Sequence, residues 1–383
     1  MPPLPPGDPG AFGPYGAMLL TVTLLAAWLA TDLAIPWVTR FAYRFGRVDP
    51  VDARKVHTVP IPRLGGIAIF LGVVASLLIV ENLIPGRQLL VGGPFRGLAA
   101  GAGLVFLLGI VDDLHPLSAK VKLAGQLAAA VLAFKLGLRI EFLSWIDGGL
   151  LAFPAIAGLP LISLGITAFW LVGISNTINL VDGLDGLAAG ITLIGALALV
   201  TIAIQTGQLL PATLALALLG GTIGFLRYNF NPAKIFMGDG GSLFLGFMLA
   251  GISVMGVFKL VTAAALALPL LIVGVPIVDT TFAIIRRLWN RQPIFAPDRG
   301  HLHHRLLGAG LSHRTTVIFI YGISLALASM ALGLLGNPGT WPMLFASLAA
   351  LGWGGWRLRR SRGGVSAAPS PPPSTQPTSG TTP

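Results

Sequence analysis

Eleven apolar runs, most of them close to the length needed to cross a bilayer, dominate this sequence, and each crossing takes about 20 residues as a helix. The runs lie at 17–38, 65–84, 96–111, 121–138, 160–178, 187–205, 209–226, 241–258, 261–285, 315–336 and 343–356. Only 10% of the residues are charged, against roughly 25% in soluble proteins, so a soluble fold is excluded. The pattern predicts an all-α, polytopic membrane protein with about eleven transmembrane helices in a lipid bilayer.

The basic residues predict how these helices are oriented. All but five of the 25 Lys and Arg residues fall in loops on one side of the predicted membrane. Because cytoplasmic loops carry the excess of Lys and Arg, that side is assigned to the cytoplasm. The N-terminus is then outside and the C-terminus cytoplasmic. The net charge of +11 is explained by topology, so no nucleic-acid partner is expected.

The chain divides into two regions by composition. Residues 1–362 hold all the apolar runs, whereas residues 363–383 consist largely of Pro, Ser, Thr and Gly. Such a composition cannot bury enough apolar surface to fold, so a disordered cytoplasmic tail is predicted. The chain has no cysteine, which excludes disulfides, thiolate metal sites and cysteine nucleophiles.

Acidic residues gather where apolar runs end on the predicted cytoplasmic side. Five of the 14 acids are of this kind and have no basic residue beside them in the sequence: Asp112, Asp113, Asp182, Asp185 and Asp239. Acids this close to hydrocarbon are costly and usually serve an ion, a relay or a pathway. Carboxylate oxygens suit Mg²⁺, with Mn²⁺ as an alternative, so a divalent cation is expected to hold this cluster together.

The spacing of two acidic motifs adds detail. Asn176, Asn179, Asp182 and Asp185 recur every third residue, which would place them along one helical face. Asp239 lies between glycines just before an apolar run. A helix N-cap and an anion or metal site are compatible there.

Two basic loops on the same side contain histidines. Lys55 and His57 belong to DARKVHT, and four further residues belong to RGHLHHRL, namely Arg299, His301, His303 and His304. Attraction to anionic lipid is one explanation, and phosphate binding is the other. A carboxylate cluster for a metal beside basic loops for phosphates is the equipment for phosphoryl transfer.

Five motifs in order carry a family resemblance: RKVHTVPIPRLGG, GIVDDL, NTINLVDGLDGLAAG, NFNPAKIFMGDGGS and RGHLHHRL. Over roughly residues 15–335 the chain resembles the bacterial polyprenyl-phosphate N-acetylhexosamine-1-phosphate transferases, relatives of the phospho-N-acetylmuramoyl-pentapeptide transferase. The resemblance implies transfer of a sugar 1-phosphate from a UDP-N-acetylhexosamine to undecaprenyl phosphate, releasing UMP. It implies a Mg²⁺-dependent enzyme of the bacterial plasma membrane with a cytoplasmic active site. The step would initiate synthesis of a cell-envelope polysaccharide such as lipopolysaccharide or teichoic acid.

The resemblance also assigns roles to residues. Asp239, helped by Asn179, would bind the metal. The catalytic positions would be Asp112, Asp113, Asp182, His301, His303 and His304. The substrate-binding positions would be Lys55, His57, Asp185, Asn229, Phe236 and Arg299, with Phe236 stacking on uracil. A homodimer stays open, as does the choice between direct attack and a covalent intermediate.

Several alternatives remain. The muramoyl-pentapeptide enzymes carry three consecutive histidines, whereas this chain has His-Leu-His-His, which favours UDP-N-acetylglucosamine over a peptide-bearing donor. The CDP-alcohol phosphotransferase motif fails here because Gly190 stands where an arginine is required. A transporter would place acids at mid-membrane depth on several spans, and only Asp32 and Asp279 qualify.

Overall fold

The computed structural model describes residues 12–49, 60–84, 89–144, 150–152, 160–256 and 302–365, with single positions at 274, 278, 281, 285, 287 and 289. Helices make up most of this part of the chain. They are α1 (Gly13–Arg44), α2 (Gly65–Leu83), α3 (Gly93–Leu114), α4 (Ala119–Lys135), α5 (Leu161–Val181), α6 (Leu187–Gln205), α7 (Leu209–Asn229), α8 (Gly238–Gly256), α9 (Leu302–Gly308), α10 (His313–Leu334) and α11 (Thr340–Val365).

Eight of the described helices are long and apolar enough to cross a membrane, namely α1, α2, α3, α5, α6, α7, α8 and α10. A multi-pass helical architecture is therefore confirmed. The predicted spans at 121–138 and 343–356 correspond to α4 and α11, which do not join that set. With 17 residues, α4 is only about 25 Å long. The predicted span at 261–285 lies outside the described ranges, so a total of eleven and the orientation stay predictions.

Two short antiparallel strand pairs were not predicted. β1 (Val48–Asp49) pairs with β2 (Ile61–Pro62) between α1 and α2, and β3 (Phe142–Ser144) pairs with β4 (Leu150–Ala152) between α4 and α5. Strands of two or three residues are too short to show an alternating pattern. The first pair is reinforced by an ion pair between Arg63 and the buried Asp49.

Helix α8 lies at the centre of the bundle. It packs against α2, α3, α5, α6 and α7, and all residues from Gly240 to Gly256 are buried. Helices in lipid associate through close van der Waals packing, which small residues at the interface allow. The glycines at the start of α8 let neighbouring backbones approach the segment that carries Asp239.

The contact between Gly66 of α2 and Gly241 of α8 provides a test of this packing. A Cβ at Gly66 would overlap the backbone N and Cα of Gly241. We expect Gly66→Ala to destabilise the purified protein by about 1–3 kcal/mol, the usual cost of overpacking. Gly103→Ala on α3 is the control, because nothing lies within 4 Å of its Cβ position. Thermal unfolding in detergent should show a loss for Gly66→Ala alone, and equal losses would contradict the assignment.

The ion pair of Asp32 bears on the transporter alternative. Asp32 of α1 contacts Arg227, in the last turn of α7, with 3.1 Å between Oδ1 and Nη1. This acid is therefore partnered and lies near one end of the bundle. Asp279, the other acid in that argument, lies outside the described residues. The described residues thus give the transporter hypothesis no support.

Candidate active site

The acidic motifs meet at one end of the bundle, where α3, α5 and α7 end and α4, α6 and α8 begin. This meeting confirms that the acids, far apart in sequence, are held together by helix ends.

Asp113 fixes the first turn of α8. Its Oδ1 accepts a hydrogen bond from the Asp239 N–H at 2.8 Å, and its Oδ2 accepts one from the Gly240 N–H at 3.0 Å. The first amides of a helix have no partner within the helix, so this carboxylate on α3 caps α8 from outside. Gly238 precedes the turn with φ of +75°, and a Cβ there would crowd the Asp113 carboxylate.

Asp112 and Asp239 converge on one ammonium group, that of Lys122. The Lys122 Nζ lies 3.0 Å from Asp112 Oδ2 and 3.0 Å from Asp239 Oδ2. The other oxygen of Asp112 accepts the Leu117 N–H at 2.6 Å. These three side chains, Asp112, Lys122 and Asp239, are called the carboxylate–lysine cluster below. Their half-buried position strengthens the attraction between the charges.

Lys122 was missed by the sequence analysis. It was counted as one of the basic residues at the start of a predicted span, where a positive charge marks topology. The sequence did contain a signal for a polar face on α4, because Lys122 and Gln126 are four residues, or about one helical turn, apart. The Gln126 side chain forms a reciprocal amide pair with Asn176, with N–O distances of 3.1 and 2.7 Å. The face of α4 that carries Lys122 and Gln126 is thus polar and lies toward the site.

The carboxylate–lysine cluster contains the carboxylate oxygens that a divalent cation needs as ligands. Two carboxylates already converge on one positive charge, and Mg²⁺ is commonly bound by one or two carboxylates together with substrate phosphates. No group of three His, Asp or Glu residues suitable for a metal occurs in the described part of the chain. Asn179, the predicted helper, donates to Ser242 Oγ at 2.8 Å, one turn after Asp239.

Asp182 and Asp185 do not continue a helical face, so that part of the prediction is wrong. Helix α5 ends at Val181, Asp182 follows as its cap, and Gly186 turns the chain with φ of +82°. The helix has therefore already ended before Asp185. Burial, and then the negative charges of Asp239, Asp113 and Asp185, raises the pKa of Asp182 well above the ordinary value. This acid faces the same negative region as the cluster.

Asp185 and Asn229 bind the backbone of neighbouring loops. Asp185 Oδ2 accepts hydrogen bonds from Asn231 Nδ2 at 2.9 Å and from the Ala233 N–H at 3.0 Å. The buried Asn229 accepts the Gly186 N–H at 2.9 Å and donates to the Ile235 carbonyl at 2.9 Å. These contacts shape the loop before Phe236. Whether the two residues also touch uridine stays a prediction.

Phe236 is half-buried beside the start of α2. Its N–H donates to the Pro62 carbonyl at 2.7 Å, and its carbonyl accepts the Gly65 N–H at 2.9 Å. The backbone of Phe236 is thus fixed between β2 and α2, three residues before Asp239. A ring held on such a backbone is suited to a fixed stacking position.

The start of α10 supplies two more residues that the sequence analysis did not identify. His313 Nε2 accepts the Asp185 N–H at 3.1 Å, and Arg314 Nε donates to the Asn231 carbonyl at 2.7 Å. The signal was a second basic pair, SHR, shortly after RGHLHHRL. His313 thus contacts the loop that contains Asp185, and Arg314 contacts the loop that contains Asn231.

The remaining predicted residues stay untested by geometry. Lys55, His57, Arg299 and His301 lie outside the described residues. The backbone of His303 and His304 belongs to α9.

Comparisons with known proteins agree with these motifs. Residues 95–257 match the model of glycosyl transferase family 4. The chain is 42% identical over 332 residues to a probable undecaprenyl-phosphate N-acetylglucosaminyl 1-phosphate transferase of Bacillus subtilis, covering 85% of this chain and 87% of the relative. It is 37% identical over 339 residues to the decaprenyl-phosphate N-acetylglucosaminephosphotransferase of Mycolicibacterium smegmatis, covering 82% and 81%. An undecaprenyl-phosphate alpha-N-acetylglucosaminyl 1-phosphate transferase of Escherichia coli K12 is 29% identical over 354 residues, covering 90% and 92%.

Proposed function

The chain belongs to glycosyl transferase family 4, among the polyprenyl-phosphate N-acetylglucosamine-1-phosphate transferases, and we propose that it transfers N-acetylglucosamine 1-phosphate from UDP-N-acetylglucosamine to undecaprenyl phosphate. The products are undecaprenyl-diphosphate-N-acetylglucosamine and UMP. The observation that carries the proposal is the carboxylate–lysine cluster, whose two acids come from two of the family motifs, at one end of a membrane-embedded bundle. The names of the relatives favour this donor over a muramoyl-pentapeptide.

The reaction mainly requires alignment of the two substrates and neutralisation of their negative charges. An oxygen of the acceptor phosphate attacks the β-phosphorus of the donor, and the bond from that phosphorus to the UMP oxygen breaks. The acceptor is a phosphate monoester, already largely ionised near neutral pH, so little base strength is needed. The Lys122 ammonium offsets part of the negative charge of Asp112 and Asp239, which lowers the repulsion that phosphate oxygens meet there.

We propose Asp239 and Asp112 as the residues that hold Mg²⁺, with Asn179 nearby. Mg²⁺ would supply charge neutralisation between the two anionic substrates and at the leaving UMP. Asp113 keeps the Asp239 backbone in place, and Asp182, whose pKa is raised by burial, lies beside the same negative region. Lys55, His301, His303 and His304 are proposed to bind the diphosphate.

UMP release by the purified protein is the direct test. With UDP-N-acetylglucosamine and undecaprenyl phosphate, turnover is expected to stop on chelation with EDTA and to return with Mg²⁺. UDP-N-acetylmuramoyl-pentapeptide serves as the competing donor. Preference for that donor, or activity that EDTA does not affect, would refute the corresponding part of the proposal.

Phe236→Ala tests the uridine pocket. Stacking of a base on an aromatic ring is worth about 1–3 kcal/mol, so the KM for the UDP-sugar should rise roughly tenfold or more while that for undecaprenyl phosphate changes little. Phe230→Ala is the matched control, since Phe230 lies in the same loop, just after α7. Steady-state kinetics with each substrate varied in turn would measure the difference. Equal increases for both substrates would remove Phe236 from the pocket.

We propose eleven spans with the N-terminus outside and the site at the cytoplasmic face of the bacterial plasma membrane. The distribution of Lys and Arg supports this orientation. A reporter enzyme fused after residue 362 should be active in the cytoplasm, as should one inserted in the loop between α3 and α4. A periplasmic signal at either place would contradict the orientation.

A further inference from the structure

The C-terminal end of α1 forms one wall of an open groove of about 690 Å³. No residue of the carboxylate–lysine cluster lines it. The residues that matter for its chemistry are Trp37, Arg40, Phe41, Arg44, Phe45 and, from α2, Ile67. Among the described residues, the groove also includes none of the loop that carries Phe236.

The apolar lining of the groove is unusually exposed. Trp37 is 71% exposed, Phe41 48% and Phe45 57%. Helix α1 is long and apolar enough to span a membrane, and aromatic residues near the end of such a helix lie at the headgroup level. These rings therefore face lipid in the membrane, with acyl chains within reach.

The positive charge of the groove favours anionic lipids. Arg40 and Arg44 are both exposed and lie four residues apart, on one face of α1. The Arg40 guanidinium lies 5.4 Å from the Trp37 ring centroid, which keeps it over the groove. Of the described arginines that follow in the chain, Arg47 donates to the Leu114 carbonyl at 3.0 Å and Arg63 pairs with Asp49, so these two are engaged elsewhere.

We propose that this groove binds an anionic phospholipid. Its phosphate would lie between Arg40 and Arg44, and the upper part of its acyl chain along the Trp37 ring, on the bilayer side of the two arginines, with Phe41 and Phe45 beside the headgroup. The α1 wall covers nine residues, about 13 Å, which suits a headgroup and the upper part of an acyl chain rather than a long polyprenyl chain. The site would retain a lipid beside the enzyme without taking part in the reaction.

Binding of phosphatidylglycerol to the delipidated full-length protein tests the proposal. Native mass spectrometry in detergent would measure the affinity for the lipid, with phosphatidylcholine as the zwitterionic comparison. The variant Arg40→Gln/Arg44→Gln removes both charges. Each basic residue near an anionic membrane surface strengthens binding about fivefold. Loss of both arginines should therefore weaken the binding of phosphatidylglycerol roughly 30-fold. The variant's affinity for phosphatidylcholine should not change.

A charge-matched control is available on α11. There Arg357 lies 5.4 Å from the Trp353 ring and 5.6 Å from the Trp356 ring, so Arg357→Gln/Arg359→Gln removes the same charge from a second arginine–tryptophan cluster. That variant should retain the wild-type affinity for the tightest-bound phosphatidylglycerol. Equal losses of affinity in the two variants would mean that overall charge explains the effect, and the proposed site would be overturned.

The acceptor lipid is the other source of a lipid phosphate. If undecaprenyl phosphate displaces the bound phosphatidylglycerol and the Arg40→Gln/Arg44→Gln variant raises only the KM for the acceptor, the proposal is overturned in favour of an acceptor groove. The binding measurement needs no turnover. Its outcome is therefore separate from that of the UMP-release assay.

Discussion

Asp239→Asn should abolish transfer, lowering kcat by more than about a hundredfold, and added Mg²⁺ should not restore it. The asparagine keeps the size of the side chain but removes one of the two carboxylates that converge on Lys122. Substitution even of residues that only support a metal ligand costs about 10–100-fold, so loss of a direct ligand should cost at least that. UMP release across a range of Mg²⁺ concentrations measures the effect.

The same substitution at Asp32 is the matched control. Asp32 also forms an ion pair, with Arg227, but it lies on α1 and is not part of the carboxylate–lysine cluster. Asp32→Asn should leave turnover within about threefold of the parent enzyme. Calorimetric titration with Mn²⁺ adds a readout that needs no turnover, since Asp239→Asn should lose the binding that the control keeps. Appreciable activity or intact Mn²⁺ binding in Asp239→Asn would refute the metal assignment.

The helices that position the site were predictable from the sequence because their signal is local. Each long apolar run specifies a helix by itself, and the observed ends of α5, α6 and α7 lie within three residues of the predicted ones. The acids at those ends were recognised because charge is rare in such a chain. The two-stranded pairs were not, since strands of two or three residues leave no periodic pattern.

The pairing of Lys122 could not be predicted because it depends on tertiary structure. Lys122 and Asp239 are 117 positions apart, and their contact requires α4 to begin beside the first turn of α8. In the sequence, a lysine at the start of an apolar run is fully explained by topology. Only the packed helices show that it joins two carboxylates.

Motifs also fail to distinguish a residue that touches substrate from one that holds a loop. Asp185 and Asn229 were assigned to the uridine pocket by resemblance, yet their observed partners are backbone groups and Asn231. A side chain that accepts two hydrogen bonds from a loop fixes that loop. Its substitution would then weaken donor binding through Phe236, whether or not it contacts uridine.

The adjacent acids Asp112 and Asp113 perform different tasks in the structure, although one motif supplies both. Asp112 faces Lys122, whereas both oxygens of Asp113 accept backbone N–H groups at the start of α8. We therefore expect Asp113 to affect the reaction through the position of Asp239. Two charged hydrogen bonds at a helix N-terminus are also stabilising, because the helix dipole favours negative charge there.

Asp113→Asn should lower kcat by about a hundredfold while leaving the KM for the UDP-sugar nearly unchanged. An amide can accept with its oxygen only, so its Nδ2 would face one of the two N–H groups, and α8 would lose a hydrogen bond at its first turn. Displacement of a reacting geometry by about 1 Å can cost this much in rate.

Amide hydrogen exchange of Asp239 and Gly240 separates positioning from direct chemistry, since Asp113→Asn should accelerate exchange there and Asp112→Asn should not. If Asp113→Asn lost activity with unchanged exchange at these two amides, the carboxylate would have to act on the substrates themselves.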